Sequence, residues 1–270
     1  MERRENIMLH FWRIKGLWIR SGILIVLIGW LAYLFPDFTT DMPQPQRLEL
    51  FASFFNPSQS LFATLLLFIS SSVLITDYWV TGLAVHWTDF VVGRRSRAWL
   101  LRHLFFTTFI FSFGLMLVLQ LVVYGVMTYV RGPITLTGDF ESQYLMFANL
   151  RASLLAGVLT HCIGYAVFSD FVLMIGLWIK KPFIFRISGP LIALVMFIGL
   201  AMLNTIPVLK NFLAYLYLPN LIAPGQVGDF GTFMLPLPSW LVFVIAVGLY
   251  SLVTVLGTVV RFKRGGEVDG

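Results

Sequence analysis

Long apolar runs alternate along the chain with short polar interruptions, and the runs are too continuous for the half-buried helices of a water-soluble domain. A membrane-spanning helix needs about 20 mainly apolar residues to cross roughly 30 Å of hydrocarbon. Six runs meet that length, at about residues 16–35, 60–84, 104–130, 152–179, 188–208 and 238–260. The pattern predicts an all-α polytopic membrane protein with six transmembrane helices in a single domain, residues 1–270. There is no internal repeat, low-complexity tract or polar stretch long enough for a soluble domain.

Composition strengthens that reading. Only 12% of the 270 residues are charged and the mean hydropathy is +0.85, whereas a soluble domain carries about a quarter charged residues. The solvent for most of the chain is therefore lipid, and the net charge of +6 reports orientation rather than nucleic-acid binding. Cytoplasmic loops collect Lys and Arg. Arg3, Arg4, Arg13, Lys15 and Arg20 precede or open the first run, and Arg94, Arg95, Arg97 and Arg102 lie between the second and third. Lys180, Lys181 and Arg186 lie between the fourth and fifth, and Arg261, Lys263 and Arg264 follow the sixth. The other loops hold only Arg47, Arg131, Arg151 and Lys210, with most of the loop carboxylates. The alternation predicts a multi-pass protein of the cell membrane with both termini cytoplasmic.

Two flanking segments have a character of their own. Leu9, Phe11, Trp12, Ile14, Leu17 and Trp18 interleave with Arg13, Lys15 and Arg20, a mixture that suits an N-terminal interfacial helix; a plain extension of the first span is the alternative. No small-residue cleavage pattern follows, so the first span is expected to be retained. Residues 209–236 are too apolar for an aqueous loop, yet Pro219, Pro224 and Gly225 cut them into pieces too short to span. Such backbone must be covered by protein or face a cavity, which predicts a re-entrant outer segment before the sixth helix, packed on the outer ends of the fifth and sixth. In the fourth span, Ala152, Ala156, Thr160 and Gly164 form a small-residue stripe for close packing.

Candidate chemistry is sparse. The chain has no phosphate-binding loop, zinc-binding His pair or nucleophile elbow, and its one cysteine, Cys162, allows neither an internal disulfide nor a cysteine metal site. No catalytic, cofactor-binding or metal-ligating residue is assigned. Asp77 and Asp170 are the only acidic residues inside the six runs, and a carboxylate within a membrane helix costs several kcal/mol unless paired or solvated. Both lie roughly 24–27 Å along their spans, near the basic loops, so pairing with those cations is expected; gating or substrate contact is the alternative. His161, about 14 Å into the fourth span, is expected to be a hydrogen-bonded packing residue, with a place in a substrate path as the alternative. Between Val85 and Leu104 the arginines alternate with Trp99, Leu100, Leu101 and Leu104. That stretch is either a docking face at the membrane surface or a basic anchor that fixes topology.

The sequence DYWVTG from Asp77 to Gly82, followed by GRRSRAWLLRHL from Gly93, together with the six-span arrangement, resembles the ABC-2 type permeases, the membrane subunits of ATP-binding-cassette transporters and mostly exporters. In that family an Arg-Pro-[Ile/Leu/Val]-[Ser/Thr]-Arg element leads into the third helix. Here Arg94-Arg95-Ser96-Arg97 stands in its place, with Arg95 where proline is usual. The basic ending VVRFKRGGEVDG is similar to the tails of such permeases. The resemblance implies a transporter subunit without its own nucleotide site, ATP and Mg being held by partner ATPases. It implies two copies of an ABC ATPase subunit docked beneath the chain, and a second permease subunit, identical or related. The segment containing Asp89, Arg94, Arg95, Arg97, Trp99, Leu100 and Arg102 would be the coupling helix, and Lys180–Arg186 a smaller contact. A non-transporting membrane scaffold or immunity protein and a polytopic membrane enzyme are the competing readings.

Overall fold

A computed structural model describes residues 15–35, 51, 54–55, 60–84, 96–134, 149–179, 181–199, 215–222 and 237–266. The interfacial segment before Lys15, and Asp89, Arg94, Arg95 and Lys180, lie outside the described residues. Among those described there is no strand, and six helices are long and apolar enough to cross a membrane. In chain order they are α1 (Lys15–Leu34), α2 with α3 (Leu61–Val73 and Ile75–Ala84), α4 (Arg97–Arg131), α5 (Leu150–Gly176), α6 (Pro182–Leu194) continued by a π-helical turn (Val195–Gly199), and α8 (Ser239–Gly266). The short helix α7 (Leu218–Ile222) lies between the last two.

The second and fourth spans form the centre. Of their most apolar stretches 61% and 67% are buried, against 22–33% in the other four. An outer helix needs only a narrow inward stripe, and α1 has one: Leu17, Ser21, Leu24, Ile28 and Ala32, three or four residues apart, are buried. Its remaining surface carries Trp18, Ile23, Val26 and Trp30, all exposed, which is tolerable only where the surrounding medium is lipid. α4 packs chiefly on α5 and α1, through the repeating inward positions Leu100, Leu104, Thr108, Phe111, Leu115, Leu119, Val123 and Met127.

Three boundaries depart from the apolar runs. The third span starts at Arg97 rather than near residue 104, because Ser96 Oγ accepts the Trp99 N–H at 3.2 Å and caps the helix about two turns early. It ends at Gly132, whose φ of 83° lies where a side chain is strained. The fifth span starts at Pro182 rather than residue 188, with proline in the first turn, where its missing N–H costs nothing. The second span is two helices, broken at Leu74 (φ −90°, ψ −116°). Ser70, Ser71 and Ser72 donate back to the carbonyls of Leu67, Phe68 and Ile69, and Thr76 Oγ1 donates to the Ser71 carbonyl. Hydroxyls that compete for main-chain acceptors in this way bend helices.

Of the outer segment 209–236, residues 215–222 are described. All of Leu218–Ile222 is buried. Its main neighbour is α5 in the fourth span, with α8 and the π-helical turn at its sides, rather than the fifth and sixth spans alone. Gly164 explains the choice: a Cβ there would sit 1.9 Å from the Leu221 carbonyl oxygen. Tyr250 from α8 donates its hydroxyl to the Leu216 carbonyl at 2.6 Å, and Phe197 stacks on Tyr217 with centroids 6.1 Å apart. Of the small-residue stripe, Gly164 is buried, Ala156 and Thr160 are half-buried and Ala152 is exposed.

Gly164→Val should displace α7 and lower the unfolding free energy in detergent by about 1–3 kcal/mol, the usual cost of overpacking. Gly22→Ala is the control: nothing lies within 4 Å of a Cβ at Gly22, so helix propensity alone should hold or raise stability, by up to about 1 kcal/mol.

Candidate functional site

The two interruptions in the apolar helices come together. Pro190, inside α6, has no N–H to give the carbonyl four residues earlier, that of Arg186. Ser72 Oγ lies 3.2 Å from that oxygen as well as from the Ile69 carbonyl, so its one proton is shared between its own helix and the acceptor that proline frees in the fifth span. Gly189 makes the approach possible, since a Cβ there would fall 2.3 Å from Ser72 Cβ. At the other interruption, Arg20 Nη1 of α1 donates to the Val73 carbonyl at 2.8 Å, just before the break at Leu74. Side chains commonly re-satisfy main-chain groups freed in broken membrane helices.

Asp77 joins the two. Its side chain is 4% exposed. Arg186 donates from Nε to Oδ1 at 2.7 Å and from Nη2 to Oδ2 at 3.1 Å, a two-point pairing matched to guanidinium geometry. Arg20 donates from Nη1 to Oδ2 at 2.7 Å, and Thr81 Oγ1 donates to Oδ1 at 3.4 Å. A carboxylate offers about four acceptor sites, and here they are filled. The pairing expected of Asp77 is present, with one partner from the first span and one from the fifth. An acceptor satisfied in this way clamps the first, second and fifth spans together.

Asp170 differs. Among the described residues it has no ion-pair partner, and its Oδ1 is buried without a hydrogen bond. The expected pairing with a loop cation is therefore not seen among the described residues, and Arg94, Arg95 and Lys180 lie outside them. Geometry explains it: Asp170 faces a groove between α5 and the start of α4, lined also by Trp99, Arg102, His103 and three phenylalanines, and Arg102 does not close on it. His161 is buried, and its Nδ1 is 2.9 Å from Gln120 Nε2, with the Phe55 ring edge-on at 6.4 Å. Its hydrogen bond ties α5 to α4. Gln120, the one amide in the apolar run of α4, was the available signal for that partner.

The residues expected to couple to an ATPase divide. Arg97 opens α4. Trp99 is half-buried and stacks on His103, with centroids 5.1 Å apart and planes 8° apart. Arg102 is exposed. Leu100, expected as an outward anchor, is 5% exposed and belongs to the protein's own core, because it stands one turn before Leu104 on the inward stripe. Among the described residues no group of three His, Cys, Asp or Glu side chains could hold a metal ion. Comparison with family models, curated proteins and solved structures gave no match.

The contrast between the two carboxylates is measurable. Asp77→Asn should lower the unfolding free energy by about 1–3 kcal/mol, below the ~3–5 kcal/mol of a fully buried pair because the Arg20 and Arg186 side chains are 45% and 41% exposed. Asp170→Asn, which breaks no ion pair among the described residues, should change it by less than about 1 kcal/mol. Equal losses at the two sites in detergent unfolding would remove the distinction.

Proposed function

We propose that this polytopic membrane protein is the permease subunit of an ABC exporter, forming the substrate path with a second permease and coupling to two separate ATPase subunits. The observation that carries the reading is the continuity of α4. The basic segment between the second and third spans runs, from its Ser96 cap, into a helix of 35 residues, about 52 Å long. A displacement applied at its first turn would be carried as a rigid body into the contacts with α5 and α1. The Lys180–Arg186 segment supplies a second lever. Arg186 grips Asp77 beside the break at Leu74, so movement there would bend the second span at a position already interrupted. ATP and Mg would reside in the ATPases, and both termini would face them from the cytoplasm.

The burial of Leu100 changes which side chains can make the contact. Trp99 becomes the apolar anchor, with Arg102 at the rim, where exposed ion pairs contribute little. In pull-down and transport-linked ATP hydrolysis with a co-purified nucleotide-binding subunit, Trp99→Ala should weaken association about tenfold, and Arg102→Ala by no more than a few-fold. Leu100→Ala should instead lower the stability of the chain alone by about 2–5 kcal/mol, as for other core Leu→Ala changes. A chain that binds no ATPase, or a Trp99→Ala variant that keeps both association and coupling, would leave the segment as a basic anchor and favour the scaffold reading.

A further inference from the structure

The groove at the start of α4 holds one carboxylate and one guanidinium that do not pair with each other. Asp170 and Arg102 both line it, and neither forms an ion pair among the described residues. Two opposite charges sharing a cleft would ordinarily close on each other unless held apart. Here α5 and α4 hold them on different walls of an open groove of about 580 Å³, within the roughly 300–1,000 Å³ of small-molecule sites. Among the described residues its buried Oδ1 has no donor, while Asp170 also lines the groove, from which a donor can approach the carboxylate.

The rest of the lining is aromatic. Phe105, Phe106 and Phe109 follow Arg102 along α4, away from its charged first turn. Trp99 and His103, stacked face to face, stand at the charged end. Order along the helix thus runs from a charged and amphipathic mouth to an apolar wall, the order of headgroup and acyl chain in a phospholipid leaflet. Trp and Arg are also residues that favour the membrane–water interface.

We propose that this groove is a binding site for a phospholipid with a primary ammonium headgroup. The ammonium, with its three donors, meets the Asp170 carboxylate near the face of Trp99, where an aromatic ring adds attraction for a cation. The phosphate meets Arg102, and the first methylenes of an acyl chain lie along Phe105, Phe106 and Phe109. The site shares Trp99 and Arg102 with the proposed ATPase contact, so lipid and ATPase would compete there; it goes beyond the transport reading and is tested without an ATPase.

The full chain, purified and delipidated in detergent, is titrated with phosphatidylethanolamine or its N-acetylated form, matched in acyl chains, and bound lipid is counted by native mass spectrometry. The unaltered chain should bind the ammonium lipid about tenfold more tightly, a difference of about 1.4 kcal/mol. Asp170→Asn should bring the two lipids within about twofold of each other. Arg102→Gln should weaken both by a similar factor and keep the preference. Equal binding of the two lipids by the unaltered chain, or a preference that survives Asp170→Asn, would overturn the proposal. Should Asp170→Asn fail to fold, the comparison on the unaltered chain decides alone.

Discussion

Backbone polar groups inside hydrocarbon have no water to turn to, so every break in a spanning helix must be repaired by another part of the protein. Among the described residues the second span is broken at Leu74 and the fifth loses one main-chain hydrogen bond at Pro190, and a carboxylate sits beside the first. The repair is mutual. Arg20 serves the Val73 carbonyl and Asp77 together, Ser72 serves the carbonyl of Arg186, and the Arg186 side chain grips Asp77. Removing any member leaves a charge or an acceptor without its partner. The first, second and fifth spans are therefore joined by a network whose strength comes from the low polarity around it, not from the number of contacts.

The same solvent explains the rest of the packing. Lipid tails give no hydrophobic drive between helices, so the close contacts occur where side chains are absent or polar. Gly189 against Ser72 and Gly164 against the Leu221 carbonyl are such places, as is the Gln120–His161 bond between α4 and α5. The large exposed residues of the outer helices need no cover of their own. The interior is held by a few specific bonds around two central spans, and one clamp binds three spans at a single point.

Much of this was legible in the sequence. Run length and composition alone specify six apolar helices, and the cost of a membrane carboxylate points to a paired Asp77. The partners were not legible, because Arg20 and Arg186 are far away in the chain and looked like ordinary flanking cations. The break at Leu74 had a signal in Ser70-Ser71-Ser72, three consecutive hydroxyls in an apolar run, and Pro190 was a second. Leu100 was misplaced because the arginines around it look like the end of a helix; extending the inward stripe back from Leu104 by one turn would have turned it toward the core. Asp170 was expected to behave like Asp77 because the two lie at similar depths in sequence. What separates them is the direction each side chain faces, which apolar patterning does not encode.

The central claim is that Asp77 is a shared node and not an incidental surface pairing, and a double-mutant cycle on unfolding in detergent tests it most directly. Asp77→Asn and Arg186→Gln should be coupled by about 1–2 kcal/mol, as for other charged side chains in direct contact. Arg20→Gln in the Asp77→Asn background should still cost about 0.5–1.5 kcal/mol, the worth of one hydrogen bond, because the Val73 carbonyl loses its donor. Costs that simply add, with coupling below about 0.5 kcal/mol, would contradict the account and reduce the network to independent surface charges.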